Sequence, residues 1–110
     1  MNLTAPDLLI YEVTNALRYN PDLAPTDLER AVQALYKIHI AMHAPSEEVM
    51  VKSIANALKN QITIYDAAYL SHAEAGDSTF ITADEKLYSK IKENPKVALL
   101  SSEKVRALLS

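Results

Sequence analysis

The chain has 110 residues, a net charge of −3 and a pI near 5.5, with a single glycine, Gly76, and no cysteine. That length builds one domain around one core, so residues 1–110 are read as a single domain. The lone glycine excludes both kinds of Gly-rich phosphate loop, and the missing cysteine excludes disulfides, zinc–thiolate sites and thiol catalysis.

Leu3-Thr4-Ala5 reads as a short strand or a lead-in. Pro6 suits the first position of a helix with Asp7 in its first turn. Leu9, Val13, Ala16 and Leu17 repeat at helical spacing, which predicts a helix to about Arg18, broken by Asn20-Pro21. Thr26-x-x-Glu29 has the form of a capping box. The helix after it carries Leu28, Val32, Leu35 and Tyr36 on one face and ends near Lys37. Ile38 to Met42 reads as a strand closed by Pro45. Ser46 caps a helix that opens with Glu47 and Glu48, shows Val49, Ile54, Ala57 and Leu58 as its apolar face, and ends near Asn60. Residues 65–75 form another helix, stopped by Gly76 in the left-handed conformation. Thr79 to Thr82 is a strand. Thr82-x-x-Glu85 is a second capping-box pattern, opening a short helix through Leu87 and Ile91 that ends at Asn94-Pro95. Val97 to Leu100 is a last strand, and Ser102 caps a C-terminal helix with Val105, Leu108 and Leu109. Short buried strands alternating with helices predict an α/β fold with a parallel sheet.

Three carboxylates stand in apolar surroundings, where a charge is costly unless paired or bound to metal. Glu12 lies in Leu8-Leu9-Ile10-Tyr11-Glu12-Val13, Asp66 in Ile62-Thr63-Ile64-Tyr65-Asp66-Ala67-Ala68, and Asp84 after Thr79-Phe80-Ile81-Thr82-Ala83. In an open parallel sheet, ligands sit off the carboxyl ends of the strands. Asp84 follows such an end, and Asp66 sits near the start of a helix. Asn15 shares a face with Glu12 and is placed to support it. An oxygen-rich site of this kind suits Mg²⁺ or Mn²⁺, which activate water and stabilise charge on a phosphodiester. Each acid also has a plainer reading. Asp66 and Asp84 can be helix caps, and Thr82 is a cap rather than a catalytic hydroxyl; Glu12 gains nothing from capping. His39, His43 and His72 lack metal-ligand spacing and are read as structural or surface residues. Tyr65, Tyr69 and Tyr88 are read as packing.

A net charge of −3 is not the footprint of a broad nucleic-acid-binding surface. No apolar run is long enough to span a membrane and no signal peptide opens the chain; a cytoplasmic location is expected.

The segments Ala5 to Leu17, Ile62 to Leu70 and Phe80 to Leu87 resemble, in order, the second, third and fourth blocks of PIN-domain nucleases, and most nearly those of the VapC-like toxins of toxin–antitoxin pairs. The resemblance implies a PIN-like parallel sheet flanked by helices and a Mg²⁺- or Mn²⁺-dependent endoribonuclease. It maps the family's acidic residues onto Glu12, Asp66 and Asp84, with Asn15 and Thr82 orienting them. It implies an RNA substrate, an antitoxin protein as partner, and a homodimer. The family opens with a strand ending in its first catalytic Asp and then a helix. This chain begins after both, so the resemblance describes an N-terminally shortened sheet. Two expectations follow: a nuclease that cuts RNA weakly with three acids, or a catalytically impaired module that pairs with an antitoxin-like chain or with itself.

Overall fold

The computed structural model describes residues 3–103, 105 and 107. In chain order the elements are β1 (Leu3–Pro6), α1 (Leu8–Arg18), α2 (Pro25–Lys37), β2 (Ile40–His43), α3 (Glu47–Asn60), α4 (Ile64–Ala75), β3 (Phe80–Thr82), α5 (Glu85–Ile91) and β4 (Val97–Leu99). They fall into two compact units, one up to Ala44 and one from Pro45 onward. The expected α/β alternation is present. The parallel pairing is present too, in a two-stranded ladder within each unit among the described residues.

In the first unit β1 pairs in parallel with β2, from Leu3 opposite Ile40 to Pro6 opposite His43. Pro6 is therefore the last residue of a strand, not the first of a helix. The strand lasts as long as β2 can be matched, and a proline is tolerated at its end. Asp7 follows as the N-cap residue of α1, without a side-chain capping bond. The helix ends at Arg18, before Asn20-Pro21. Asn20 Oδ1 accepts the Asp22 N–H at 2.9 Å, an Asx turn that reverses the chain.

The opening of α2 differs from the capping box read at Thr26 and Glu29. Pro25 takes the first helical position, and the Asp27 carboxylate accepts the Ala24 N–H at 2.9 Å. Proline's fixed φ suits that position and its missing N–H costs nothing there, so the helix starts two residues earlier than the Thr-x-x-Glu pattern suggests. Leu35 is buried and Leu28 and Val32 are half-buried, but Tyr36 is exposed. Ile38 ends α2 as its C-cap residue, and β2 begins only at Ile40.

The second unit is organised around α4. Leu70, Leu87, Ile91 and Val97 form its apolar cluster, with Ile62, Phe80 and Tyr88 packed on it. Each such buried side chain contributes about 1.5–3 kcal/mol. The Tyr69 and Phe80 rings stack at 5.8 Å between centroids. Tyr65, by contrast, is exposed, because it lies in the first turn of α4 on the side away from this cluster. β3 and β4 pair in parallel from Phe80 opposite Val97 to Thr82 opposite Leu99.

α3 starts as the sequence indicates: Ser46 Oγ accepts the Val49 N–H at 3.1 Å. Its inward face is not the expected one. Ser53 is fully buried, while Ile54 and Leu58 are exposed. The reason lies on α4, whose buried residues include Ala67, Ala68, Ser71 and Ala73. Small residues let two helices approach closely, and a small Ser53 fits between them where Ile54 would not. Polar atoms at this contact are satisfied. Ser53 Oγ donates to Val49 O at 2.7 Å. Asn56 Nδ2 donates to Ser71 Oγ at 2.9 Å and to Glu74 Oε1 at 2.8 Å. Asn94 Nδ2 donates to Glu74 Oε2 at 3.4 Å, tying the segment before β4 to the same carboxylate.

The end of α4 also differs from expectation. Gly76 has φ −93°, and the left-handed residue is Asp77, at φ 51°. Ser78 N–H reaches back to Ala73 O at 2.8 Å, closing the helix end. The hydrogen bond from Lys96 holds the Asp77 carboxyl below its ordinary range, aided by the charge of that ammonium. This pair, in which Asp77 is exposed and Lys96 half-buried, favours the fold above the unfolded carboxyl range, and its contribution fades as pH falls through the lowered value. Beyond β4, Ser102 Oγ accepts the Val105 N–H at 3.3 Å, as its reading as a cap requires; Val105 is fully buried, and Leu108 and Leu109 lie outside the described residues.

Two stability measurements follow. Asn56→Ala leaves Ser71 and Glu74 without their shared donor and should cost about 1–3 kcal/mol in urea unfolding. Gly76→Ala should be neutral or add about 0.4–1 kcal/mol, since a Cβ there meets only Ser78 Oγ at 3.4 Å and His72 O at 3.5 Å.

Candidate metal and catalytic residues

Asp66 is the third residue of α4, and the cap of that helix is a different side chain. Thr63 Oγ1 accepts the Asp66 N–H at 3.0 Å. A full capping box would have the Asp66 carboxylate return a bond to the Thr63 N–H. That bond is not made, and among the described residues no hydrogen bond or ion pair engages the carboxylate. The cap reading of Asp66 is thus replaced: the hydroxyl does the capping, and a half-buried carboxylate stands at the positive end of α4.

Asp84 is itself the cap of its helix. It follows the carboxyl end of β3, and its Oδ1 accepts the Leu87 N–H at 3.0 Å as the N-cap of α5. Its second oxygen carries no protein bond among the described residues. The Thr82–Glu85 capping box does not form. Thr82 is buried at the end of β3, and its Oγ1 accepts the Asp84 N–H at 3.1 Å. The hydroxyl bends the chain off the strand and fixes the backbone of Asp84. Glu85 becomes the first helical residue.

Glu12 and Asn15 lie on α1 in the other unit, three residues apart, and both side chains are exposed. Their exposure answers the sequence puzzle of a Glu in an apolar run: Leu9, Ile10 and Val13 are turned inward and half-buried, while Glu12 faces out. Within neither unit, among the described residues, do three His, Asp or Glu side chains gather closely enough to hold a metal ion. His39 and His43 are exposed at β2, and His72 is half-buried on α4.

The residues singled out in the sequence thus stand in four local settings: a helix face in one unit, and a helix start, a strand end and the turn beyond it in the other. The oxygen donors that remain open at Asp66 and Asp84 are hard anionic ligands, the type that Mg²⁺ and Mn²⁺ take. Sequence reading missed Thr63, whose hydroxyl leaves Asp66 uncommitted. The pattern Thr63-x-x-Asp66 before an apolar run was the available signal.

Residues 2–93 match the family model of the PIN domain. The chain belongs to the PIN domain family. Among characterised proteins it is similar to Ribonuclease VapC3 of Pyrobaculum aerophilum, with 33% identity over 88 residues that cover 76% of this chain and 67% of that protein. No helix among the described residues is long and apolar enough to cross a membrane.

The double role of Asp84 gives a separable prediction. Asn caps as well as Asp, so Asp84→Asn should leave thermal stability nearly unchanged, whereas Asp84→Ala should cost about 1 kcal/mol. Any loss of metal binding or RNA cleavage in Asp84→Asn then reports on the carboxylate alone.

Proposed function

We propose that this chain is a metal-dependent endoribonuclease of the VapC-like type, in which Glu12, Asp66 and Asp84 hold Mg²⁺ or Mn²⁺. The observation that carries the reading is the uncommitted, half-buried Asp66 carboxylate at the start of α4. A folded chain does not ordinarily leave a partly buried charge without a partner, and a cation is the partner that carboxylate chemistry suits. The name of the similar protein, Ribonuclease VapC3, and membership of the PIN domain family support the same reading.

The residues divide the work. Asp66 and Asp84 supply carboxylate oxygens held at the starts of α4 and α5. Thr82 holds the Asp84 backbone in place. Glu12 adds a third carboxylate from α1, and Asn15, one turn along, orients it. A bound divalent ion supplies an activated water and neutralises the phosphodiester. Charge near the site then comes from the metal and not from a basic surface, consistent with the net charge of −3.

Protein partners belong to the proposal: an antitoxin protein and a second copy of the chain. Val51, Ile54 and Leu58 are exposed at helical spacing on α3, an apolar stripe that supports contact with another chain. A cytoplasmic location goes with an RNA substrate and with the absence of cysteine. If the chain pairs but does not cut, it is the impaired binding module.

Calorimetry with Mn²⁺ on the wild type and on Asp66→Asn tests the metal site. Binding should weaken at least about tenfold in the variant, a loss of roughly 1.4 kcal/mol. RNA cleavage that needs Mg²⁺ or Mn²⁺ and disappears in Glu12→Gln completes the assignment. Equal metal affinity in both proteins, or cleavage indifferent to Glu12, would overturn it.

A further inference from the structure

We propose that the outward face of α1 is a stacking platform for the bases of single-stranded RNA, formed by Tyr11, Arg18 and Tyr19. The inference rests on the ribonuclease reading and extends it to how the substrate is held. Tyr11 is 74% exposed and Tyr19 73% exposed, both on the same short segment. The Arg18 guanidinium lies over the Tyr19 ring, 5.2 Å from its centroid. Tyr11 and Arg18 are seven residues apart, two helical turns, and so share one face about 10.5 Å apart along the axis. Asn15 lies between them on that face, and Glu12 follows Tyr11 directly. The platform therefore runs along the helix that carries the proposed Glu12 ligand.

The composition of this face selects its occupant. Leu9, Ile10, Val13 and Leu17 are half-buried, so most of the aliphatic surface that a protein partner would cover is already used. Tyr11, Glu12, Thr14, Asn15, Ala16 and Arg18 are what remains outside, with Ala16 the one small aliphatic side chain among them. Arg18 makes no ion pair with a carboxylate among the described residues, and it is the only cation on α1. One guanidinium cannot hold RNA electrostatically on a chain of net charge −3. Aromatic planes with a stacked guanidinium can hold it through the base faces, with the cation left to meet a phosphate. Stacking of that kind needs splayed, unpaired bases, so duplex RNA is excluded from the platform.

The test is fluorescence anisotropy with a short labelled single-stranded RNA, carried out on the full chain in EDTA so that nothing is cut. Tyr11→Leu and Tyr19→Leu should each weaken binding about tenfold, and Arg18→Gln by a similar factor. Tyr11→Phe and Tyr19→Phe keep the ring and should bind like the wild type. Duplex RNA of the same length should bind more weakly and ignore all these substitutions. Unchanged thermal unfolding in the variants shows that the exposed positions are not holding the fold. Wild-type binding with Leu variants that match it would overturn the platform while leaving the ribonuclease reading intact. A wild type that neither binds nor cuts RNA would end both. Leu variants that alter the mass in light scattering without altering RNA affinity would make this face a protein contact and overturn the proposal.

Discussion

α4 is buried on two sides at once, and the rest of its unit answers that demand. Leu70, 1% exposed, points into the cluster with Leu87, Ile91 and Val97, while Ser71 accepts a hydrogen bond from Asn56 on α3. A helix enclosed in this way cannot carry large residues on every face. The sequence Ile64 to Ala75 meets the constraint with four alanines and a serine, leaving the bulk to Leu70 and Tyr69. Truncating Leu70 would leave a cavity of the kind that costs about 2–5 kcal/mol, since neighbours at this density relax little.

Close helix contact brings backbone and polar atoms out of water, and these must be bonded. The Asn56–Ser71–Glu74–Asn94 network is the response. It also fixes the rotation of α3 and α4 about their axes, because a turn of either helix would break two bonds to one amide. The same fixed rotation turns Val51, Ile54 and Leu58 to the outside. The exposed stripe on α3 is thus a by-product of the buried polar clamp on its opposite side.

Fixing α4 also fixes its first turn. The orphan N–H groups there need an acceptor, and Thr63 provides it, so Asp66 keeps its oxygens. In α5 the acid itself caps, and Thr82 supports it from the end of β3. Two helix starts therefore present carboxylates against positive dipole ends by different routes. The arrangement costs little in stability, since the Asp66 and Leu87 N–H groups are both capped, and it leaves carboxylate oxygens available for chemistry.

Residues whose role is decided within a few positions of the chain could be read directly. Ser46 caps α3, Asn20-Pro21 limits α1, and the run of short strands and helices gives parallel α/β pairing, because capping, proline sterics and hydrophobic period act locally. The three segments that resemble the family's blocks contain Glu12, Asp66 and Asp84. Where two local solutions compete, tertiary structure chose. Pro6 went to β1 because β2 could pair with it, and of the two possible caps of α5 Asp84 took the place because β3 ends at Thr82. Ser53 went inside and Ile54 outside because the facing helix is made of small residues. Pattern along one segment fixes that segment's preferred conformation; which of its faces is buried depends on the shape of what packs against it.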